Sequence, residues 1–173
     1  TIVPRVLWDG TDGVKISNSI RVRDQDRGPV AVDVMACLRE QATHAGEKMG
    51  LTVDIKEAHR LIPHRPEDGK YLGRRARPDG PIFANKVGTF GASSIAYWWG
   101  RAMGSVVRLL HYLVGPRHKL WALLMADDLF LTAAGPQLSS ALVASLIVLL
   151  TLRIPISWEK VREIGRASCR ERV

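Results

Sequence analysis

"LLMADDLFL", residues 123–131, sets two adjacent aspartates inside an otherwise apolar run. A charge among apolar neighbours is costly unless it is paired or holds a metal. Asp127 and Asp128 therefore need partners. The flanking segments "KLWALLM" and "LFLTAA" read as two apolar strands, which puts Ala126, Asp127 and Asp128 at the tip of a tight hairpin. Neighbouring side chains on a strand point to opposite faces, and a turn relaxes that rule, so one carboxylate enters a site while the other sits beside it. The best partner elsewhere is Asp54 in "TVDIK", another acid in an apolar strand, placed where that strand ends. Three carboxylates in one place repel each other unless divalent cations bind. Two Mg²⁺ ions about 3.5–4 Å apart are the usual arrangement for phosphoryl transfer. Plainer readings stand beside this one. Asp54 serves equally as the cap of a short helix starting at Lys56, and the aspartate couplet as a solvent-exposed turn.

The bulk numbers suit one globular domain with a real core: 173 residues, 46% hydrophobic and 24% charged. The formal charge of +8 favours an anionic partner, nucleic acid first and an anionic membrane surface second. Cys37 and Cys169 form no CxxC pair and no disulfide framework, which argues for a reducing, intracellular compartment. No signal peptide is visible. The most apolar stretch, Leu138 to Leu152, is short for a bilayer span and reads as a buried core helix, so no membrane partner is expected.

Along the chain, residues 1–23 suggest short strands around the turn cluster "DGTDG", and Val30 to Met49 an amphipathic helix stopped by Gly50. Leu51 to Ile55 is a compact strand, and "KEAHRLIP" turns away from it. "YLGRRARP" and "PIFANKVG" are two strands around the turn "PDGP". "GASSIAYWWGRAMGSVVRLLHYLVG" is a long helix ending at Gly115. The Asp-Asp hairpin, the core helix and a last strand "RIPISWE" follow. This order predicts an α+β fold, a mainly antiparallel sheet with helices on one face. The final segment "EIGRASCRERV", Glu163 to Val173, has no apolar period. It resembles the conceptual translation of a sequencing adapter, so 163–173 reads as a non-native tail.

Taken together, the motifs resemble those of reverse transcriptases, in family order over roughly residues 1–160. "VDIKEAHRLIPHRPED" looks like the first palm motif and "VGTFGASSIAYWW" like the second. "MADDLFL" looks like the third and "LRIPISWEK" like the fourth, while "PRVLWDGTDGVKIS" resembles a fingers motif. The resemblance implies a polymerase palm, a ferredoxin-like antiparallel sheet, with partial fingers. Residues 1–50 would be partial fingers and 51–162 the palm, with fingers strands embedded at 70–90. It implies RNA-directed DNA polymerase activity with two Mg²⁺ ions, Mn²⁺ substituting. The partners would be an RNA or DNA template with its primer and deoxynucleoside triphosphates. Thumb and RNase H regions would lie outside this chain, leaving the isolated chain nearly inactive.

The same resemblance assigns roles. Asp54 and Asp127 would hold the metals, with Asp128 as the auxiliary acid and Lys160 as general acid for the pyrophosphate. Backbone groups of Ile55, Lys56, Glu57 and Ala58 would lie by the triphosphate, and His59 would face the sugar C2′. Phe90 and Gly91 would line the nascent base pair, and Arg5 would reach the incoming phosphates. The chain departs from the family at His59, where Tyr or Phe is usual, and at Met125, where an aromatic residue is usual. Phe90 stands where retroviral enzymes carry Gln, which leans toward retrotransposon lineages. Two other functions compete: a catalytically inactive nucleic-acid-binding remnant of the same fold, and an RNA-dependent RNA polymerase. The latter usually carries a second acid at the position of His59.

Overall fold

The structure is a computed structural model that describes residues 20, 27–75, 77–89 and 92–167. Arg5, Phe90, Gly91, Cys169 and the strands expected within residues 1–23 lie outside the described residues, except Ile20. The chain divides into two compact units, Thr1–Asp26 with Glu57–Arg101, and Arg27–Lys56 with Ala102–Val173. This division cuts the chain differently from the 1–50 and 51–162 partition read from the motifs. It falls within one helix, α2 (Ser93–Leu113).

The larger unit is α+β, built on an antiparallel sheet. Its strands are β1 (Lys48–Asp54), β4 (Trp121–Met125), β5 (Asp128–Ala134) and β6 (Arg162–Ala167), in the order β4-β5-β1-β6. Alternation sorts β5: Leu129, Leu131 and Ala133 are wholly buried in one core with Val53 of β1 and Ala122 of β4. That core is closed by Leu110 of α2 and by Leu138, Ala141, Leu142 and Leu149 of α4 (Leu138–Thr151), the single turn α3 (Gly115–His118) lying between the two in sequence. Each such side chain contributes about 1.5–3 kcal/mol by leaving water.

Several expectations need correction. The first helix, α1, runs only over Ala31–Thr43, not to Met49. It starts where the Asp33 carboxylate accepts the Val30 N–H at 2.8 Å. It ends because Gly46, in the left-handed region at φ 95°, turns the chain so that Lys48 can pair with Ala134. Gly50 is therefore mid-strand, not a helix stop. "RIPISWE" is not a strand. Ile156 makes one isolated bridge to Ile55, residues 158–160 form a 3₁₀ turn, and the sheet is extended by β6 instead. The cause is the end of α4. Arg153 adopts φ 57°, and the Ile154 N–H reaches back to the Leu149 carbonyl while Arg153 N–H reaches Leu150, a Schellman stop followed by Pro155. Nor is α4 buried all round: Val143 and Ile147 are about half exposed. Among the described residues, no helix is long and apolar enough to cross a membrane.

The smaller unit holds 3₁₀ turns at Ala58–Leu61 and Pro66–Tyr71 and a two-stranded ribbon, β2 (Gly73–Arg75) with β3 (Ile82–Ala84), as the "PDGP" turn predicts. The ribbon's base is tied by the His64 N–H to the Lys86 carbonyl and by the Gly88 N–H to the Ile62 carbonyl. Gly88 has a steric reason to be glycine: a Cβ there would overlap the His59 carbonyl oxygen and come within 2.6 Å of Ile95. Gly88→Ala should lower stability by about 1–3 kcal/mol. Gly69→Ala, which meets open space, should stay within about 0.5 kcal/mol of the parent. Thermal melts of both variants make the comparison.

In the larger unit, β4 is an edge strand, and α2 caps part of its edge: His111 Nε2 accepts the Ala122 N–H at 3.1 Å. Burial holds the His111 pKa below its ordinary 6.5, a hydrogen bond to the Val107 backbone opposing in part. The neutral ring is thus the folded form, and protonation would cost it the acceptor lone pair. The unfolded chain takes up the proton first, so stability is complete above about 6.5 and falls as pH drops from there toward the lower folded value. His111→Leu should cost about 1–3 kcal/mol at neutral pH by stranding the Ala122 N–H. It should also flatten this acid limb in denaturant titrations.

Candidate active site

Three of the four predicted catalytic residues stand on two adjoining strand ends. β1 pairs with β5 so that Asp54, its last residue, lies directly opposite Asp128, the first residue of β5. The Ile55 N–H donates to the Asp127 carbonyl at 2.9 Å, which carries the contact one residue beyond the strands. Since Val53 and Leu129 face the core, Asp54 and Asp128 share the opposite face. The turn between β4 and β5 is short: Met125 pairs with Asp128, and Ala126 and Asp127 form the loop. Ala126 has φ 53° and Asp127 keeps a negative φ, the pattern of a type II′ hairpin with alanine where glycine is usual.

The aspartate couplet is not buried. Met125 through Asp128 are all exposed at the hairpin tip, so the run "LLMADDLFL" encloses its acids in sequence and releases them to water in space. The acid that is withdrawn from water is Asp54, whose side chain is 13% exposed, and its partner is Lys160. The ammonium donates to Asp54 Oδ1 at 2.7 Å. That hydrogen bond, followed by one from the Ser157 hydroxyl, holds the Asp54 pKa below its ordinary value against the opposing effect of burial. Reciprocally, Asp54, with smaller contributions from Asp127 and Glu159, pushes the Lys160 pKa up. Asp54 is not a helix cap. The following 3₁₀ turn is entered from Glu57, which has φ 54° and makes no side-chain cap bond.

Ser157 is the residue that sequence reading missed. It is 4% exposed and its backbone N–H also donates to the Asp54 carbonyl at 2.9 Å. The one signal for it was a small hydroxyl inside the apolar stretch "RIPISW", which demands a buried acceptor.

The remaining candidates are distributed as follows. Ile55 is buried and bridged to Ile156, and the Lys56 N–H donates to the Pro155 carbonyl at 2.9 Å. Both belong to the unit of the aspartates. Glu57, Ala58 and His59 belong to the other unit, where Glu57 pairs with Arg60 at 3.5 Å, Ala58 is buried and His59 is half-buried. Arg5, Phe90 and Gly91 lie outside the described residues.

Like charges directly opposite across a ladder repel, so a cation near the Asp54–Asp128 pair is stabilising. Lys160 supplies one. The donor set, three hard carboxylates, also suits Mg²⁺ or Mn²⁺ by its chemistry. Among the described residues, no group of three or more His, Cys, Asp or Glu is drawn together closely enough to hold a metal ion. No known protein-family model and no curated protein matches the chain.

Lys160→Met should raise the Asp54 pKa toward 3.8, and Ser157→Ala should raise it by less, in the order of the two hydrogen bonds. Carboxyl-carbon NMR titration reads both. Because the folded pKa is depressed, the stabilisation from this pair is full above about 3.8 and lost as pH falls through the folded value.

Proposed function

We propose that this chain carries the catalytic palm of an RNA-directed DNA polymerase, joining a deoxynucleoside triphosphate to a primer 3′-hydroxyl under template direction. The observation that supports it best is the β1–β5 register, with Asp54 opposite Asp128 and Asp127 in the adjoining turn. Asp54 and Asp127 would hold two divalent cations, with Asp128 as auxiliary acid. Such ions lower the pKa of the attacking hydroxyl and neutralise the leaving pyrophosphate. Everything else is the work of the chain. The β1–β5 ladder fixes the backbone positions of Asp54 and Asp128 relative to each other, which limits the rearrangement left to the side chains. Ser157 orients Asp54 through its hydroxyl. Lys160 as general acid must first leave Asp54, because in its present ion pair it is a weaker acid than an ordinary lysine.

Binding without catalysis is the second reading. It is favoured by the net charge of +8 and by the hold of Lys160 on Asp54 Oδ1. Two measurements separate the readings. Under the polymerase reading, Mn²⁺ broadens backbone NMR signals around Asp54 and Asp127, and Asp54→Asn removes the effect. With the chain joined to a duplex-gripping segment, primer extension on an RNA template should proceed in Mg²⁺. It should fall by roughly two orders of magnitude or more in Asp127→Asn. Absence of both the broadening and the extension would leave the binding reading.

A further inference from the structure

Lys160 stands on a turn whose main chain holds itself. The Ser157 N–H donates to the Asp54 carbonyl at 2.9 Å, the Lys160 N–H to the Ser157 carbonyl at 2.9 Å and the Val161 N–H to the Trp158 carbonyl at 3.3 Å. Just upstream, the Lys56 N–H donates to the Pro155 carbonyl at 2.9 Å. The lysine side chain adds its contact to Asp54 Oδ1 at 2.7 Å. It is itself 61% exposed, and an ion pair with so exposed a partner adds little to stability. Holding the fold together is therefore a weak account of the pair.

The acids give a stronger one. Asp54 faces Asp128 across the ladder, and Asp127 lies in the adjoining turn. The ammonium answers more than one of them, since Asp127 attracts it as well as Asp54. A carboxylate offers about four acceptor positions. On Asp54 the Lys160 ammonium and the Ser157 hydroxyl both take one. A metal ion and an ammonium cannot share the same lone pair. The two also differ in how they are held. A lysine ammonium is a point charge on a flexible four-carbon stem, so it can swing into water at small cost. A divalent cation carries twice its charge and binds hard oxygens directly.

We propose that Lys160 is a built-in competitor for the metal site, holding Asp54 Oδ1 in the metal-free chain and vacating it when a divalent cation binds. The proposal rests on the reading of Asp54 and Asp127 as metal ligands and adds a control to it. Linkage makes the competition reciprocal: Lys160 weakens the cation by the factor by which the cation loosens Lys160. The role is separate from proton donation, because it operates before any substrate is present. It also sets an order, with the lysine released for acid chemistry only after the cation has bound.

The test uses the full chain and needs no catalysis. Free Mn²⁺ is counted by electron paramagnetic resonance to give its affinity, with circular dichroism confirming that each variant is folded. Lys160→Met should tighten Mn²⁺ binding roughly 5- to 150-fold. Arg162→Gln, which removes the same charge two residues further on, should change it far less. In the wild-type chain, NMR of the Lys160 ammonium should show its resonance moving to that of a water-exposed lysine as Mg²⁺ is added. Asp54→Asn should show that position from the start. This titration carries the test by itself if Lys160→Met does not fold. Binding of the cation with the ammonium resonance unmoved would overturn the competition and leave the metal reading standing. So would Lys160→Met binding Mn²⁺ like the parent, or Arg162→Gln tightening it equally. Failure of every chain, Lys160→Met included, to bind Mn²⁺ would overturn the metal reading and the competition together.

Discussion

The antiparallel register of β1 against β5 runs from Lys48 opposite Ala134 to Asp54 opposite Asp128, and the larger unit's core and acidic site both depend on it. A slip by one residue would exchange the faces of a strand. Val53 or Leu129 would move from full burial to water, and a carboxylate would turn into the hydrocarbon cluster in its place. Burying an unpaired carboxylate costs far more than a hydrogen bond returns, so the core excludes that alternative strongly. The same constraint that buries the leucines therefore places the acids. Packing and chemistry are two faces of one pairing.

Within that frame the electrostatics are uneven. Asp127 and Asp128 are solvated, and their charges cost little. Asp54 is withdrawn from water and leans on Lys160 and Ser157, both from the segment after α4. The Schellman stop at Arg153 thus has a distant effect. By ending α4 sharply, it brings Pro155 to the Lys56 N–H and Ser157 to the Asp54 carbonyl, which puts the hydroxyl and the ammonium within reach of one carboxylate.

Much of this was readable from the sequence where local and global signals agree. The hairpin at 121–134, the end of β1 at Asp54, the ribbon around "PDGP" and the long helices α2 and α4 follow from periodicity and turn residues. Four features do not. The length of α1 was overestimated because "EQATHAGEKM" keeps helical composition, whereas pairing of Lys48 and Met49 with Ala134 and Ala133 claims its last residues for the sheet. β6 is not expected because residues 163–173, without an apolar period, are set aside as a non-native tail, and edge pairing rests on main-chain bonds that leave little side-chain pattern. The exposure of the couplet stays open in the sequence, between an enclosed acid pair and a solvent-exposed turn, because an apolar run in one dimension says nothing about where a two-residue turn emerges. The hydroxyl of Ser157 in "RIPISW" signals a buried acceptor, but that acceptor, Asp54, lies far off in sequence and no local pattern names it.

The turn at Ala126 carries one more implication. A left-handed φ on alanine costs roughly 1–2 kcal/mol that glycine would not incur. The molecule thus keeps a small, permanent tension in the two-residue link between the two strands of its acidic hairpin. The side chain at 126 becomes a dial on that tension: glycine would slacken it, and a branched residue would wind it tighter. Since Asp127 is the very next residue, the spacing of the acidic pair can be adjusted from a position that carries no charge and belongs to neither strand.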